Sequence, residues 1–339
     1  MAGAPARRAW LQRIGAAWRY GGGAPGSYSL GLSATRRVAP QKMSKDSLSR
    51  RQALALLAVV VLAWGFTWVV SKLLLQYMTP LWAVAARSAV GAVALLLLGL
   101  ALRRVAWPVR ADIPVILSVG LLHMGAFAAL VSLGLQHVPA GRSVVLAYTT
   151  PLWVIPAARL FLGEPIGPGR RAGLLLGLAG LVLIFNPLAF DWSDRAAIFG
   201  NALVLLAALC WAANIVYVRA HRWVTPPFEL AFWQALLATV VLSAVAWARE
   251  GAPRVIWGAD LAWLLGYGGV FGIAVAYWAA VNVNRSLPAG VTSIGLLGVP
   301  VFGLLCSAAV LGEPLGGALL AGMGLIVGGI ALGVRERGG

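Results

Sequence analysis

The sequence consists of long apolar runs separated by short polar or Pro/Gly-containing breaks. From Ala53 almost to the C-terminus, these runs approach the length of ~20 residues that an α-helix needs to cross a bilayer. They lack the alternation of about ten residues that is typical of outer-membrane barrel strands. A backbone in hydrocarbon must satisfy its own hydrogen bonds, and helices do so locally. The pattern therefore predicts an all-α membrane protein with ten transmembrane helices.

The predicted spans form two sets of five. The first set is 53–74, 80–102, 113–136, 140–162 and 171–188, and the second is 197–218, 228–248, 260–283, 289–311 and 315–334. We therefore expect a first five-helix domain over 53–188 and a second over 197–334, preceded by a basic tail over 1–52.

The first 42 residues differ from the rest, because they contain seven basic residues and no acidic residue. They lack the apolar region and cleavage site of a signal peptide. One interpretation is a disordered basic tail that lies against anionic lipid. The other is that translation begins at Met43, and the absence of any structural signal in the segment favours it.

The composition excludes an ordinary soluble domain. Hydrophobic residues make up 60% of the chain and charged residues 11%, with a mean hydropathy of +0.86. The net charge of +17 lies mainly in the breaks, which is typical of membrane loops and not of a nucleic-acid-binding face. Outside the first 42 residues, the breaks on the N-terminal side of the predicted membrane hold 13 Lys and Arg residues, and the breaks on the other side hold 5. We therefore expect both termini in the cytoplasm and the protein in the inner (plasma) membrane.

A duplication relates the two halves. Residues 139–165 and 288–314 align without a gap at an offset of 149, sharing a central Pro (Pro151 and Pro300) and a terminal Gly-Glu-Pro. A weaker match pairs Trp64 with Trp211 at an offset of 147. Because each half has five spans, the second copy must enter the membrane in the opposite orientation. Inverted repeats of this kind are typical of alternating-access transporters, whose substrate site lies near the membrane midplane.

Three motifs carry a family resemblance: WGFTW in the first span, the pattern from Pro80 to Arg87 in the second, and the doubled PAG…P…LGEP. They resemble the drug/metabolite transporter superfamily, EamA type, over about 53–334. The resemblance implies a ten-helix transporter, often an exporter of amino acids or other small metabolites. It also implies that helices one to four and six to nine form the cavity, while five and ten lie at the periphery.

Two ionisable side chains well inside the predicted spans are candidate site residues. Arg87 is central to the second span, where a charge is costly. It either binds an anionic or zwitterionic substrate or locks helix packing through backbone carbonyls. His123 either relays a proton or is a packing residue. No acidic residue lies deep within a span, so a carboxylate-based proton site is unsupported.

Aromatic and amide side chains inside the spans are candidates for the lining of an amphipathic cavity. With Arg87 and His123 they complete the predicted substrate-binding set: Trp64, Tyr148, Trp211, Asn214, Tyr277 and Asn282. Other tryptophans, such as Trp107 and Trp257, are expected in interfacial belts, which is the alternative for the central aromatic residues as well.

Four residues are candidates for gating. Pro151 and Pro300 would bend helices four and nine and free carbonyls for the cavity, or form static kinks. Glu164 and Glu313 would gate the two ends, form a salt bridge to Arg170 or Arg171, or act as solvated loop carboxylates that position the turn. Small residues in 172–181 and 316–329 suit close helix packing, within the chain or in a homodimer.

No catalytic constellation is present: the sequence lacks Walker, GxSxG and HExxH motifs and has no paired carboxylates in a span. Cys210 and Cys306 lie in apolar runs, so no disulfide, metal site or cofactor is predicted. The hypothesis is a secondary transporter, and not an enzyme, that moves amino-acid-like solutes or drugs outward by alternating access. The alternatives are a membrane enzyme acting on lipid-type substrates and a non-transporting scaffold.

Overall fold

A computed structural model describes residues 48–185, 193–287 and 289–335. These residues belong to one compact unit, which runs from Asp46 to Gly339. Nearly all of the predicted basic tail, including Met43, and the end of the fifth predicted span lie outside the described residues.

Within the described residues, we group the helical segments into ten elements. They are α1 (Arg50–Leu74), α2 (Pro80–Ala101), α3 (Arg110–Gly134), α4 (Ala140–Ala147 and Thr150–Phe161), α5 (Pro168–Phe185), α6 (Arg195–Ala220), α7 (Pro227–Glu250), α8 (Ala259–Ser286), α9 (Ala289–Leu296 and Gly298–Leu311) and α10 (Gly317–Arg335). Seven of them, α1 to α4 and α6 to α8, are long and apolar enough to cross a membrane. The described residues form no β-strand, which confirms the all-helical prediction.

Local sequence sets several helix ends. Ser49 and Gln52 form a capping box at the start of α1, with Gln52 N donating to Ser49 Oγ at 3.3 Å. Both α2 and α7 begin with a proline, whose missing N–H leaves no donor unsatisfied there. Gly163 and Gly312 follow α4 and α9 with φ of +69° and +66°, a conformation that favours glycine.

Helix contacts occur in matched pairs when α1 to α5 are compared in order with α6 to α10. Helix α2 packs on α7, α4 on α9 and α5 on α10. The α1–α9 contact has a counterpart in α6–α4, α2–α8 in α7–α3, and α1–α8 in α6–α3. The two halves therefore use the same interfaces on each other.

Glycines allow the closest of these approaches, between α5 and α10. A Cβ added to Gly180 would lie 2.6 Å from the carbonyl oxygen of Gly322, and one added to Gly329 would lie 2.9 Å from Gly177 N. The small residues predicted to pack helices closely therefore do so within the chain.

Irregular backbone also recurs in both halves. Helix α3 contains a wider π-helical segment at Ser118–Phe127, and α8 contains one at Tyr267–Val275. Helix α4 is interrupted at 148–149 and α9 at Leu297. Each pair of features is separated by the offset of 149 found in the sequence, or by one residue less.

Candidate functional site: a cavity between the two halves

A cavity of about 160 Å³ lies among α1, α2, α3, α4, α6 and α8. Six of the eight predicted substrate-binding residues line it: Trp64, Arg87, His123, Tyr148, Trp211 and Tyr277. Among the described residues, helices α5 and α10 contribute no lining residue. Helices α7 and α9 contribute none either, although the resemblance implied that they would.

Among the described residues that line the cavity, Arg87 is the one cationic side chain and none is acidic. Its Nη1 donates a hydrogen bond to Ser71 Oγ at 2.9 Å. Gly268 leaves room for the side chain, since an added Cβ would lie 2.7 Å from Arg87 Cδ. Arg87 therefore reaches the cavity without a carboxylate partner among the described residues.

Trp211 is the centre of the aromatic wall. His123 stacks on it, with ring centroids 5.3 Å apart and ring planes 6° apart. Tyr148 and Phe127 contact Trp211 edge-to-face, with centroid distances of 5.5 Å and 5.3 Å. Trp64 also lines the cavity, and its Nε1 donates to the carbonyl of Gly272 at 3.2 Å. These contacts hold flat apolar surfaces around the cavity.

The two predicted amides do not line the cavity. Asn214 is buried and accepts a hydrogen bond from Ser118 Oγ at 3.0 Å. Asn282 donates to the carbonyl of Trp278, one turn earlier, at 2.7 Å. Asn214 thus links α6 to α3, whereas Asn282 forms a hydrogen bond within its own helix.

Glu313, after α9, caps the start of α4. Its two carboxylate oxygens accept hydrogen bonds from Ala140 N at 2.7 Å and Gly141 N at 2.8 Å. Nearby, Lys72 donates to the carbonyls of Leu135 and Val138 at the end of α3. The Glu313 carboxylate and the Lys72 ammonium thus stabilise opposite helix termini that meet at the α3–α4 loop.

The repeat-related residues interact differently at the other end. Glu164, after α4, forms an ion pair with Arg219 and lies 3.7 Å from Arg170. Arg219 is the repeat counterpart of Lys72, because the two are separated by the same offset of 147 as Trp64 and Trp211. Lys72 and Glu313 therefore each cap a helix terminus, whereas their repeat counterparts Arg219 and Glu164 form an ion pair with each other.

Both predicted gating prolines lie where a helix resumes after an interruption. Pro151 lies in the first turn of the second part of α4, directly after the interruption. The hydroxyls of Thr149 and Thr150 donate to the carbonyls of Leu146 and Ala147 at 2.6 Å and 2.7 Å. Local threonine side chains thus satisfy the carbonyls of the broken turn. Pro300 is buried in the first turn of Gly298–Leu311.

A separate polar cluster joins two loops away from the cavity. Asp112 is buried and accepts hydrogen bonds from Thr225 Oγ1 at 2.7 Å and Val109 N at 3.1 Å. Burial lowers the pKa of the nearby His221 below its usual value, although the charge of Asp112 acts in the opposite direction. This cluster connects the α2–α3 and α6–α7 loops.

Sequence reasoning missed part of the site. Thr67 and Trp68 also line the cavity, and both belong to the WGFTW motif, of which only Trp64 was predicted to bind substrate. Ser71 and Phe127 line it as well, and nothing in the sequence distinguishes these two from ordinary span residues. The spacing from Arg87 to a hydroxyl on a neighbouring helix could not be obtained without the fold. In the described part of the chain, no group of His, Cys, Asp and Glu could hold a metal ion.

Comparisons with known proteins agree with this architecture. The EamA-like transporter family matches the chain twice, over residues 51–186 and 198–335. The chain is 29% identical to the uncharacterized transporter YvbV of Bacillus subtilis, covering 84% of this chain and 92% of the relative. It is 29% identical to a probable amino-acid metabolite efflux pump of Salmonella typhimurium, covering 85% and 96%.

Two further similarities are narrower. A riboflavin transporter of Rhizobium johnstonii is 33% identical over 50% of this chain and 51% of its own length. A solved crystal structure shares the fold with a TM-score of 0.60 and 23% identity, covering 84% of this chain and 98% of that chain. With the doubled match over most of its length, this multi-pass membrane protein belongs to the EamA-like transporter family of the drug/metabolite transporter superfamily and is a transporter of small molecules.

Proposed function

We propose that this protein is a secondary transporter that exports a small organic solute by alternating access between two inverted five-helix repeats. The observation that carries the proposal is the cavity between the halves, close to interruptions that recur at the sequence offset. Irregular backbone at membrane depth is tolerated where it is buried in protein or lines a cavity. Paired interruptions around a shared site are what two copies rocking against each other require.

The repeats comprise 53–188 and 197–334, with ten spans in all. Besides the seven long apolar helices, α5, α9 and α10 complete the two sets of five. Helix α10, with 19 residues, is about 28 Å long at a rise of about 1.5 Å per residue. That length suits a bilayer core of ~30 Å.

The substrate-binding set consists of the six predicted residues that share the cavity. Arg87 supplies the charge, and Trp64, His123, Tyr148, Trp211 and Tyr277 supply ring surfaces and polar edges. Asn214 and Asn282 support the helices around it. Amino-acid-like solutes and drugs are the substrate classes that the family resemblance suggests, and the probable efflux pump supports outward transport.

Glu164 and Glu313 form a gate whose contacts exchange. The Glu313 carboxylate holds α4 against α9 at one end, while Glu164 is paired with Arg219 at the other. By repeat symmetry, the opposite state has Glu164 capping α9 and Glu313 paired with Lys72. Pro151 and Pro300 keep the broken turns of α4 and α9 from closing into regular helix, so that both can bend during this exchange.

The remaining assignments follow from charge and packing. The excess of Lys and Arg on one side supports cytoplasmic termini in a plasma membrane, and the same placement of charge supports the absence of a nucleic-acid partner. The transporter has no catalytic residue of its own. A homodimer would use surfaces other than the glycine-rich faces of α5 and α10, because these faces already pack on each other.

The purified protein, reconstituted into liposomes, provides the test. We expect saturable flux of at least one solute from a panel of amino acids, aromatic acids and drugs, and competition between solutes for one site. Arg87→Gln in the same liposomes should lose that flux. Flux of no member of the panel above that of protein-free liposomes contradicts the proposal.

A further inference from the structure

The charge of the cavity restricts its ligand. Arg87 has a polar partner in Ser71 Oγ at 2.9 Å, but a neutral hydroxyl does not compensate a cation. Ion pairs among the described residues involve Glu164 with Arg170 and Arg219, away from the cavity. A guanidinium inside a membrane protein is costly without an anion. A ligand with one negative charge would therefore balance the charge of Arg87.

The positive charge of Arg87 has no counterpart in the second repeat. The prolines that begin α2 and α7 are 147 residues apart, and this offset relates Arg87 to Gln234. Gln234 is fully buried and accepts a hydrogen bond from Tyr277 OH at 3.4 Å. The site thus carries a single positive charge, and a bound monoanion would leave it neutral.

The shape of the cavity restricts the ligand further. An engineered apolar cavity of about 150 Å³ holds one benzene ring, and the volume here is about 160 Å³. Trp211 and His123 stack nearly parallel, and Tyr148 approaches Trp211 edge-on. Such surfaces favour a flat ring in offset or edge-to-face contact. A guanidinium binds a planar carboxylate through two parallel hydrogen bonds.

On these grounds, and resting on the proposed function, we propose that the substrate is an aromatic monocarboxylate with a single ring, of which benzoate is the simplest example. The carboxylate binds Arg87 and the ring lies against Trp211. An aromatic amino acid is a poorer ligand, because its ammonium meets no acidic side chain in the cavity and leaves the site with a net positive charge. An aromatic amine lacks the anion altogether.

Calorimetry of the full chain in detergent tests the proposal with four probes: benzoate, phenylalanine, benzylamine and cyclohexanecarboxylate. We expect benzoate to bind about tenfold or more tightly than phenylalanine or benzylamine, since a charge-assisted pair is gained without an unpaired ammonium. Cyclohexanecarboxylate should bind more weakly than benzoate, because it cannot stack on the aromatic wall. Equal or tighter binding of phenylalanine or benzylamine, or no binding of benzoate, overturns the proposal.

Variants separate a binding role of Arg87 from a structural one. Arg87→Gln should lower benzoate affinity by about tenfold or more, and Arg87→Lys should lie between this variant and the wild type. Arg159→Gln is the matched control, because Arg159 also lies in a membrane helix but is exposed and is not among the residues that line this cavity. The melting temperature of each variant verifies folding. Unchanged benzoate affinity in a folded Arg87→Gln protein also overturns the proposal.

Flux measurements distinguish this proposal from the transporter assignment. Liposomes that transport another solute but neither transport nor bind benzoate overturn the ligand class and leave the transport function intact. Liposomes that bind benzoate and transport no solute overturn the proposed function instead.

Discussion

Glu313→Gln is the substitution that most directly perturbs the proposed gate. The carboxylate accepts hydrogen bonds from Ala140 N at 2.7 Å and Gly141 N at 2.8 Å, at the positive end of α4. Hydrogen bonds to a charged group contribute about 1.5–3 kcal/mol each, and charge at a helix N-terminus adds about 0.3–2 kcal/mol. An amide keeps one acceptor oxygen but loses the charge and the second bond. We expect the state in which Glu313 caps α4 to be destabilised by about 1.5–3 kcal/mol. This corresponds to a shift of about 10- to 100-fold in the equilibrium between the two gate states.

Electron–electron distance measurements between two spin labels provide the assay. Labels at Gln136 and Leu315 are suitable, because both side chains are exposed and lie in the two loops that the Glu313 contact brings together. Cys210 and Cys306 are first changed to serine. An open state populated at about 1% in the wild type should rise to about 10–50% in Glu313→Gln, visible as a second, longer distance.

Glu164→Gln is the repeat-related comparison. It removes an ion pair of about 0–1 kcal/mol in the present state, but in the opposite state it removes a helix cap like that of Glu313. The distance distribution between the same labels should therefore move toward the short component. Identical distributions in the wild type and Glu313→Gln, or the same direction of change in both variants, would refute the exchange of contacts.

Four further substitutions test the packing and the loop cluster. Gly180→Val should destabilise the protein by about 1–3 kcal/mol, because the added side chain meets the opposing backbone. Gly324→Val has open space around it and should leave the melting temperature unchanged. Asp112→Ala should cost about 1–3 kcal/mol in thermal unfolding, because Thr225 loses its buried acceptor. The lowered pKa of His221 favours its neutral form in the folded state, so its stabilising contribution is present above a pH of about 6.5 and is lost as the pH falls. His221→Gln should therefore reduce the drop in melting temperature on acidification from about pH 7.5 to about pH 5.5.

The apolar pattern predicted the helices well, because helix length and hydrophobicity in a bilayer are set by local physics. Every apolar run contains a helical element, and helix ends at Ser49, Pro80 and Gly312 follow local signals. The interruptions are different. Pro151 and Pro300 marked two of them in the sequence, whereas the π-helical segments of α3 and α8 have no comparable marker.

The site was predictable where a residue type is unusual in its surroundings. Arg87 and His123 stand out in apolar runs, and both line the cavity. Asn214 also stands out, but Ser118 of α3 occupies its side chain. Which polar residue faces the cavity depends on how each helix is oriented about its own axis. The mean hydropathy of a span does not specify that orientation. The Glu313 cap was equally hidden, since it joins residues more than 170 positions apart.

The claim beneath the whole account is that the second half enters the membrane in the opposite orientation. Pro165 and Pro314 occupy equivalent exposed positions, directly after Glu164 and Glu313. In a protein whose native cysteines are changed to serine, Pro165→Cys and Pro314→Cys can each be treated with a membrane-impermeant thiol reagent in intact cells. The account predicts labelling of Pro314→Cys from outside and of Pro165→Cys only after the cells are lysed. Labelling of both positions from the same side would contradict the inverted repeat and the transport mechanism built on it.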